Sequence, residues 1–306
     1  MKSLITGATG LVGRRLVETL PSPTILTRSP KRAAASLGPV PAHPWDPLSG
    51  PPPIKAFRDV EAVFNLAGEP VSQGRWSAEK KRAIYDSRVV GTRNLVAGLA
   101  QLQRKPKVLV SASAIGIYGD RGDEVLDETS QLGRGFLAQV CIDWEREAMA
   151  ATELGIRVVC VRTGIVLSSS GGALARMLTP FRLGVGGRLG SGTQWMSWIH
   201  IGDLVGLLLH ASRSKTLNGP LNAVSPEPIR NSEFTRSLGQ SLRRPTFLPM
   251  PKAALRMAFG EMSEIMLASQ RVVPRVALES GYSFAHSDLS SALTTALMPS
   301  VTTRAA

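Results

Sequence analysis

Residues Lys2 to Leu20 read KSLITGATGLVGRRLVETL, and this stretch decides the fold. Lys2 to Thr6 is an apolar run of strand length, while Leu11, Val12, Leu16, Val17 and Leu20 recur on one face of a helix. Between the two lie Gly7, Gly10 and Gly13. Gly7 permits the tight turn off the strand, Gly10 lets the backbone approach a bound group, and Gly13 lets the helix pack closely on the sheet. The unpaired amides and the dipole at the helix start then face an anion. In a strand–turn–helix context this spacing predicts a dinucleotide pyrophosphate, held by Gly7, Thr9, Gly10, Leu11, Val12 and Gly13.

Working outward, short apolar runs alternate with helical patterns. Thr24 to Thr27, Val40 to Trp45, Ala62 to Leu66, Lys107 to Ser111 and Arg157 to Val161 read as strands. Helices are expected over Ala78 to Leu102 and Phe136 to Leu154, and the stretch DPLSGPPP between them and the early strands must be loop. This order predicts an α/β fold: a doubly wound parallel sheet of Rossmann type over residues 1–165, with a later strand near 195–204 returning to it. Residues 166–306 are expected to form a smaller C-terminal α+β substrate domain. Its first part crowds glycines around Gln194, Trp195, Trp198 and His200, a texture of cleft walls or of plain surface loops and core tryptophans.

The end of the second strand bears on the choice of cofactor. An acidic residue there would bond the ribose 2′-hydroxyl of NAD. This chain has Thr27, Arg28 and Ser29, with Lys31 and Arg32 just behind. A guanidinium pairs with a 2′-phosphate, whereas a carboxylate would repel it. The expected cofactor is NADP(H).

The net charge of +13 is spread along all 306 residues, and no zinc-finger spacing, basic arm or ribonucleoprotein aromatic motif accompanies it. A diffuse positive field suits a phosphate-bearing small molecule, and neither nucleic acid nor a membrane is an expected partner. No run approaches the roughly 18 apolar residues of a membrane span. With no signal-peptide pattern and only Cys141 and Cys160, a cytoplasmic location without disulfides is expected.

The segments TGATGLVG, FNLAGEP (Phe64 to Pro70), SASAIGIYG (Ser111 to Gly119) and WIHIGDL (Trp198 to Leu204) resemble the extended short-chain dehydrogenase/reductase superfamily. RTGIVL, GGAL, PFRLGVGG and GSGTQWMSWIH resemble its atypical branch, the NAD(P)-dependent epimerase/dehydratase family proteins with an uncharacterised C-terminal domain. The resemblance implies NADP(H) binding and adds Leu66, Ala67, Gly68, Ser111, Thr163 and Gly164 to the cofactor-binding set. It also implies epimerase or oxidoreductase chemistry on a small molecule, but without the usual acid–base pair, because the superfamily's Tyr-x-x-x-Lys is missing.

In that pair the lysine lowers the pKa of the tyrosine, which passes a proton while hydride moves. The chain has three tyrosines, and the residues four positions after them are Val89, Gly122 and His286. When Glu145 anchors the match, Leu137 and Cys141 lie near the expected positions. The superfamily's asparagine is likewise replaced, by Arg88. Ser113 falls at the catalytic-serine position, where it would either donate to a substrate oxygen or cap a local backbone group. Arg88 would bind an anionic substrate or the cofactor, or lie exposed on its helix. Tyr118 would stand in as acid or pack beside the cofactor. His200 and Asp203 read as a structural pair more readily than as a base, and the four histidines lack metal-ligand spacing, so no metal is expected. Two functions remain open: an NADP(H)-dependent epimerase or oxidoreductase acting on a sugar derivative or similar molecule, and an NADPH-binding regulatory or interaction protein with little or no turnover.

Overall fold

The computed structural model describes residues 1–298. Strands β1 (Ser3–Thr6), β2 (Pro23–Thr27), β3 (Ala42–Pro44), β4 (Ala62–Asn65) and β5 (Val108–Ala114) join two later strands, Arg157–Thr163 and Gly219–Ala223, in one sheet. Its order is β3-β2-β1-β4-β5, then Arg157–Thr163, then Gly219–Ala223, and every pairing is parallel. Reversal of direction at β1 opens a crevice at the carboxyl ends of β1 and β4, where such sheets bind ligands.

Side-chain alternation explains the two-sided winding. Leu4, Val63, Leu109 and Val158 point into one apolar layer, and Ile5, Phe64, Val110 and Val159 into the other. Helices α1 (Leu11–Thr19) and α2 (Pro30–Leu37) and the helix Ile201–Arg213 cover one face, while α3 (Ala78–Ala100) and the end of α4 (Phe136–Met149) cover the opposite one. Ser77 starts α3 by accepting a hydrogen bond from the Lys80 amide at 3.1 Å. The proline loop packs on α3 instead of standing away from it. A Cβ at Gly98 would lie 2.7 Å from Pro52 Cδ, so only glycine admits that approach.

The strand returning to the sheet is Gly219–Ala223, a correction to the expectation of one near 195–204. Trp198–His200 instead pairs with Ile165–Leu167 in a separate two-stranded ladder. The chain thus leaves the sheet after Thr163 and comes back through the helix Ile201–Arg213. A smaller core of Leu174, Leu178, Phe181, Trp198, Phe234 and Leu293 gathers the outlying segments. Among the described residues, no helix is long and apolar enough to cross a membrane.

Candidate cofactor cleft and its adjoining cavity

Gly7 has φ +69°, and a Cβ there would sit 2.6 Å from the Leu66 carbonyl carbon. The glycine loop and the loop leaving β4 therefore touch backbone to backbone. Helix α1 begins at Gly10 with no side-chain cap and no acidic residue in its first turn, which leaves its amides free to face an anion. Thr9 and Gly10 are exposed, and Leu11 and Val12 half-buried. Gly171 and Gly172 lie against the Leu11 side chain, an approach over the loop that their sequence spacing gave no reason to expect.

A buried hydroxyl–amide chain fixes the β4 loop. Thr6 Oγ1 donates to Asn65 Oδ1 at 2.8 Å and accepts from the amides of Leu66 and Ala67, both at 3.1 Å. Asn65 Nδ2 donates to Thr92 Oγ1 and Ser111 Oγ, and Trp144 Nε1 also donates to Thr92 Oγ1. Leu66, Ala67 and Gly68 thus border the crevice through a loop in which the amides of Leu66 and Ala67 are already committed. Ser111 has no exposed surface. Its hydroxyl is held by an internal bond within this chain. Thr163 and Gly164 are half-buried at the carboxyl end of their strand.

At the end of β2, Thr27 Oγ1 accepts from the Ser29 amide, and Ser29 Oγ caps the next helix by accepting from the Arg32 amide. Arg28 is exposed and makes no hydrogen bond or ion pair among the described residues. No acidic side chain stands beside it in sequence.

The catalytic candidates fare differently. Ser113 is buried, and its hydroxyl donates to Glu145 Oε1 at 2.6 Å, so that proton is engaged inside the protein. Tyr118 is fully buried; its hydroxyl donates to Asn222 Oδ1 at 2.7 Å and accepts from Arg162 Nη1 at 2.9 Å. Burial holds its phenol above the usual tyrosine range. In this structure both side chains are engaged within a core network. Glu145 and Arg162, which sequence reading did not single out, form the centre of that network through a two-pronged ion pair, with both contacts at 2.8 Å. Arg88 is half-buried, with its guanidinium against Gly68, which excludes the reading as an exposed helix residue.

Beside this edge is a cavity of about 370 Å³, within the range of small-molecule sites. Gly116, Phe136 and Leu137 form one wall, and Lys252, Arg256, Glu264 and Gln270 from the C-terminal segment form the other. Leu137, at the superfamily's tyrosine position, faces this space. A neighbouring recess shares Asp120, Lys252 and Leu267 and includes Gln194 and Arg230. Trp195 stands nearby between two guanidinium groups, with Arg230 at 4.2 Å and Arg271 at 4.5 Å from its ring centre. Trp198, by contrast, is wholly core.

Residues 3–223 match the NAD dependent epimerase/dehydratase family, and residues 250–296 match a domain of unknown function, DUF1731. The chain belongs to the NAD-dependent epimerase/dehydratase family. Epimerase family protein Mb2239 of Mycobacterium bovis is 42% identical over 292 residues, covering 94% of this chain and 95% of that protein. The crystal structure of human epimerase family protein SDR39U1 (isoform 2) with NADPH superposes with a TM-score of 0.85 at 34% identity, covering 96% of this chain and 98% of the other. A nucleoside-diphosphate sugar epimerase from Corynebacterium glutamicum gives a TM-score of 0.78 at 34% identity, covering 97% of this chain and 58% of that one. The resemblance read from the sequence motifs is therefore correct, including the uncharacterised C-terminal domain.

Away from the cleft, this family member brings together histidines that are distant in sequence. The rings of His200 and His286 stack with centres 3.7 Å apart, and His286 Nδ1 lies 3.1 Å from Asp203 Oδ2. Asp203 also accepts from the amides of Ala285 and His286, so the cluster latches the helix Ile201–Arg213 to the C-terminal segment. Burial, reinforced by His286, pushes His200 down to about 4. Its folded pKa is below the unfolded value of 6.5, so the unfolded chain binds the extra proton in that window. Stability should hold above pH 6.5 and decline as pH falls toward about 4. Thermal unfolding across this range is the check, and His200→Asn, which retains a capping acceptor, should flatten the decline.

Proposed function

We propose that this protein binds NADP(H) along the carboxyl edge of β1, β2 and β4. We further propose that it acts as an oxidoreductase or epimerase on a small polar molecule, a sugar derivative, in the adjoining cavity. The observation that carries the reading is the pairing of an uncapped glycine-loop helix with an unpaired Arg28 at the end of β2. The first suits a pyrophosphate and the second a 2′-phosphate. The NADPH in the human relative's structure supports the cofactor, and the Corynebacterium neighbour's description supports a sugar-bearing substrate.

When bound, the nicotinamide supplies hydride chemistry. The chain's own residues hold the phosphates and shape the cavity. Leu137 has no proton to give, so a proton is drawn from the opposite wall, where Lys252 and Glu264 stand. The absence of an ionisable group at position 137 favours the second reading, in which the protein holds NADPH with little turnover and presents a surface to a partner.

NADPH binding followed by assay on a panel of carbonyl compounds and sugar nucleotides separates the two. Oxidation of NADPH or interconversion of a sugar supports the enzyme; tight binding without turnover across the panel supports the second reading. Arg28→Ala should weaken NADPH binding about tenfold and leave NADH binding unchanged in fluorescence titrations. Equal losses for both nucleotides would show that Arg28 does not read the 2′-phosphate.

A further inference from the structure

We propose that Arg88 supplies, from α3, the fixed positive charge that the superfamily draws from a lysine on α4, and that this charge bears on the nicotinamide end of the cofactor cleft. The inference rests on the NADP(H) reading above. Leu137, Cys141 and Trp144 recur at helical spacing on one face of α4. These are the tyrosine position, the lysine position and the turn beyond them. Cys141 cannot replace a cation, since burial pushes its thiol up to about 12 and keeps it neutral.

Arg88 reaches the same face from the neighbouring helix. Its guanidinium lies over the Trp144 ring, 5.2 Å from the centre, and its charge acts on Cys141. Nη1 donates to the carbonyls of Glu69 at 2.9 Å and Ile84 at 3.2 Å, which fixes the plane of the group. The guanidinium also meets Gly68, where a Cβ would stand 3.0 Å from Cζ and 3.1 Å from Nη2. Gly68 continues the loop that abuts Gly7, so backbone contact is unbroken from the phosphate loop to the guanidinium. Nε and Nη2 have no hydrogen-bond partner among the described residues and remain available as donors. The nearby Glu69 carboxylate is paired with Lys80, which shares its charge between Lys80 and Arg88.

Arginine keeps its charge even when buried, so this cation is permanent. The oxidised nicotinamide ring is positive and the reduced ring neutral. A fixed cation beside the ring therefore disfavours the oxidised form, most strongly where water is excluded. The protein should hold NADPH in preference to NADP⁺, with Arg88 as the residue responsible for part of that preference.

The test compares dissociation constants for NADPH and NADP⁺ in the wild-type protein, Arg88→Met and Arg88→Lys, using NADPH fluorescence and competition by NADP⁺. The ratio of the NADP⁺ constant to the NADPH constant should fall about fivefold or more in Arg88→Met and stay within about twofold of wild type in Arg88→Lys. A purely structural role would lower both affinities by one factor and leave the ratio unmoved, which overturns the proposal. An equal fall in Arg88→Lys also overturns it, because charge would not be the cause. If Arg88→Met fails to fold, Arg88→Gln removes the charge while keeping a donor for the Glu69 carbonyl and gives the same reading. Wild-type protein that binds neither nucleotide would overturn the NADP(H) reading itself.

Discussion

Arg162→Met should lower the free energy of unfolding by about 3–5 kcal/mol, the usual cost of stranding one partner of a buried ion pair. Arg162 is 4% exposed, and its guanidinium meets Glu145, the Tyr118 hydroxyl and the Glu128 carbonyl. Without it, Glu145 retains only the Ser113 hydroxyl, which cannot offset the desolvation of a carboxylate. The damage should spread beyond one strand. Asn222 on the last sheet strand bonds Tyr118, and its amide donates to Glu128, so the network ties α4 and two strands together. Denaturant unfolding measures the loss. Much of it should return in the double variant Arg162→Met/Glu145→Leu, because removing both charges leaves no uncompensated one. A single-variant loss below about 1 kcal/mol would show that water reaches Glu145 and that the pair behaves like a surface one.

Gly13→Ala should reduce NADPH affinity by about 100-fold or more and cost about 1–3 kcal/mol of stability. A Cβ at position 13 would stand 2.3 Å from the Gly7 carbonyl oxygen and 2.7 Å from Ala8 Cα. Both are backbone atoms, so relief requires α1 to lift off the turn, and its amides then leave the phosphate position. Gly10→Ala provides the contrast. Its added methyl meets only the Gly7 oxygen, at 3.2 Å, in an exposed position. It should leave stability nearly unchanged while still weakening NADPH binding, because in the proposed cofactor site Gly10 is where the backbone meets the phosphate. Titration of NADPH alongside denaturant unfolding separates the two effects. Full affinity in Gly13→Ala would mean that the helix start does not hold the pyrophosphate.

The glycine loop and the alternating strands were legible because their causes are local. A turn with positive φ at Gly7 needs glycine, and two-residue periodicity writes both faces of a buried strand into the sequence. The end of β2 was legible for the same reason: Arg28 and its neighbours are consecutive. The internal partners of Ser111, Ser113 and Tyr118 were not legible, because a motif gives the position of a side chain but not its direction. Ser113 turns toward Glu145 across 32 positions of sequence, and Tyr118 toward Asn222 across 104.

The sequence by itself determined a parallel α/β sheet, a glycine loop with dinucleotide-binding spacing and a basic residue where NAD-specific proteins carry an acid. Each follows from residues within one strand–turn–helix unit. Only the tertiary structure decided what surrounds that loop. It sent the chain back to the sheet through Gly219–Ala223, brought Lys252 to Gln270 across from Leu137, and set the Arg88 guanidinium against Gly68. Those outcomes depend on which distant surfaces bury one another, and burial is a property of the packed chain, not of any short stretch of it.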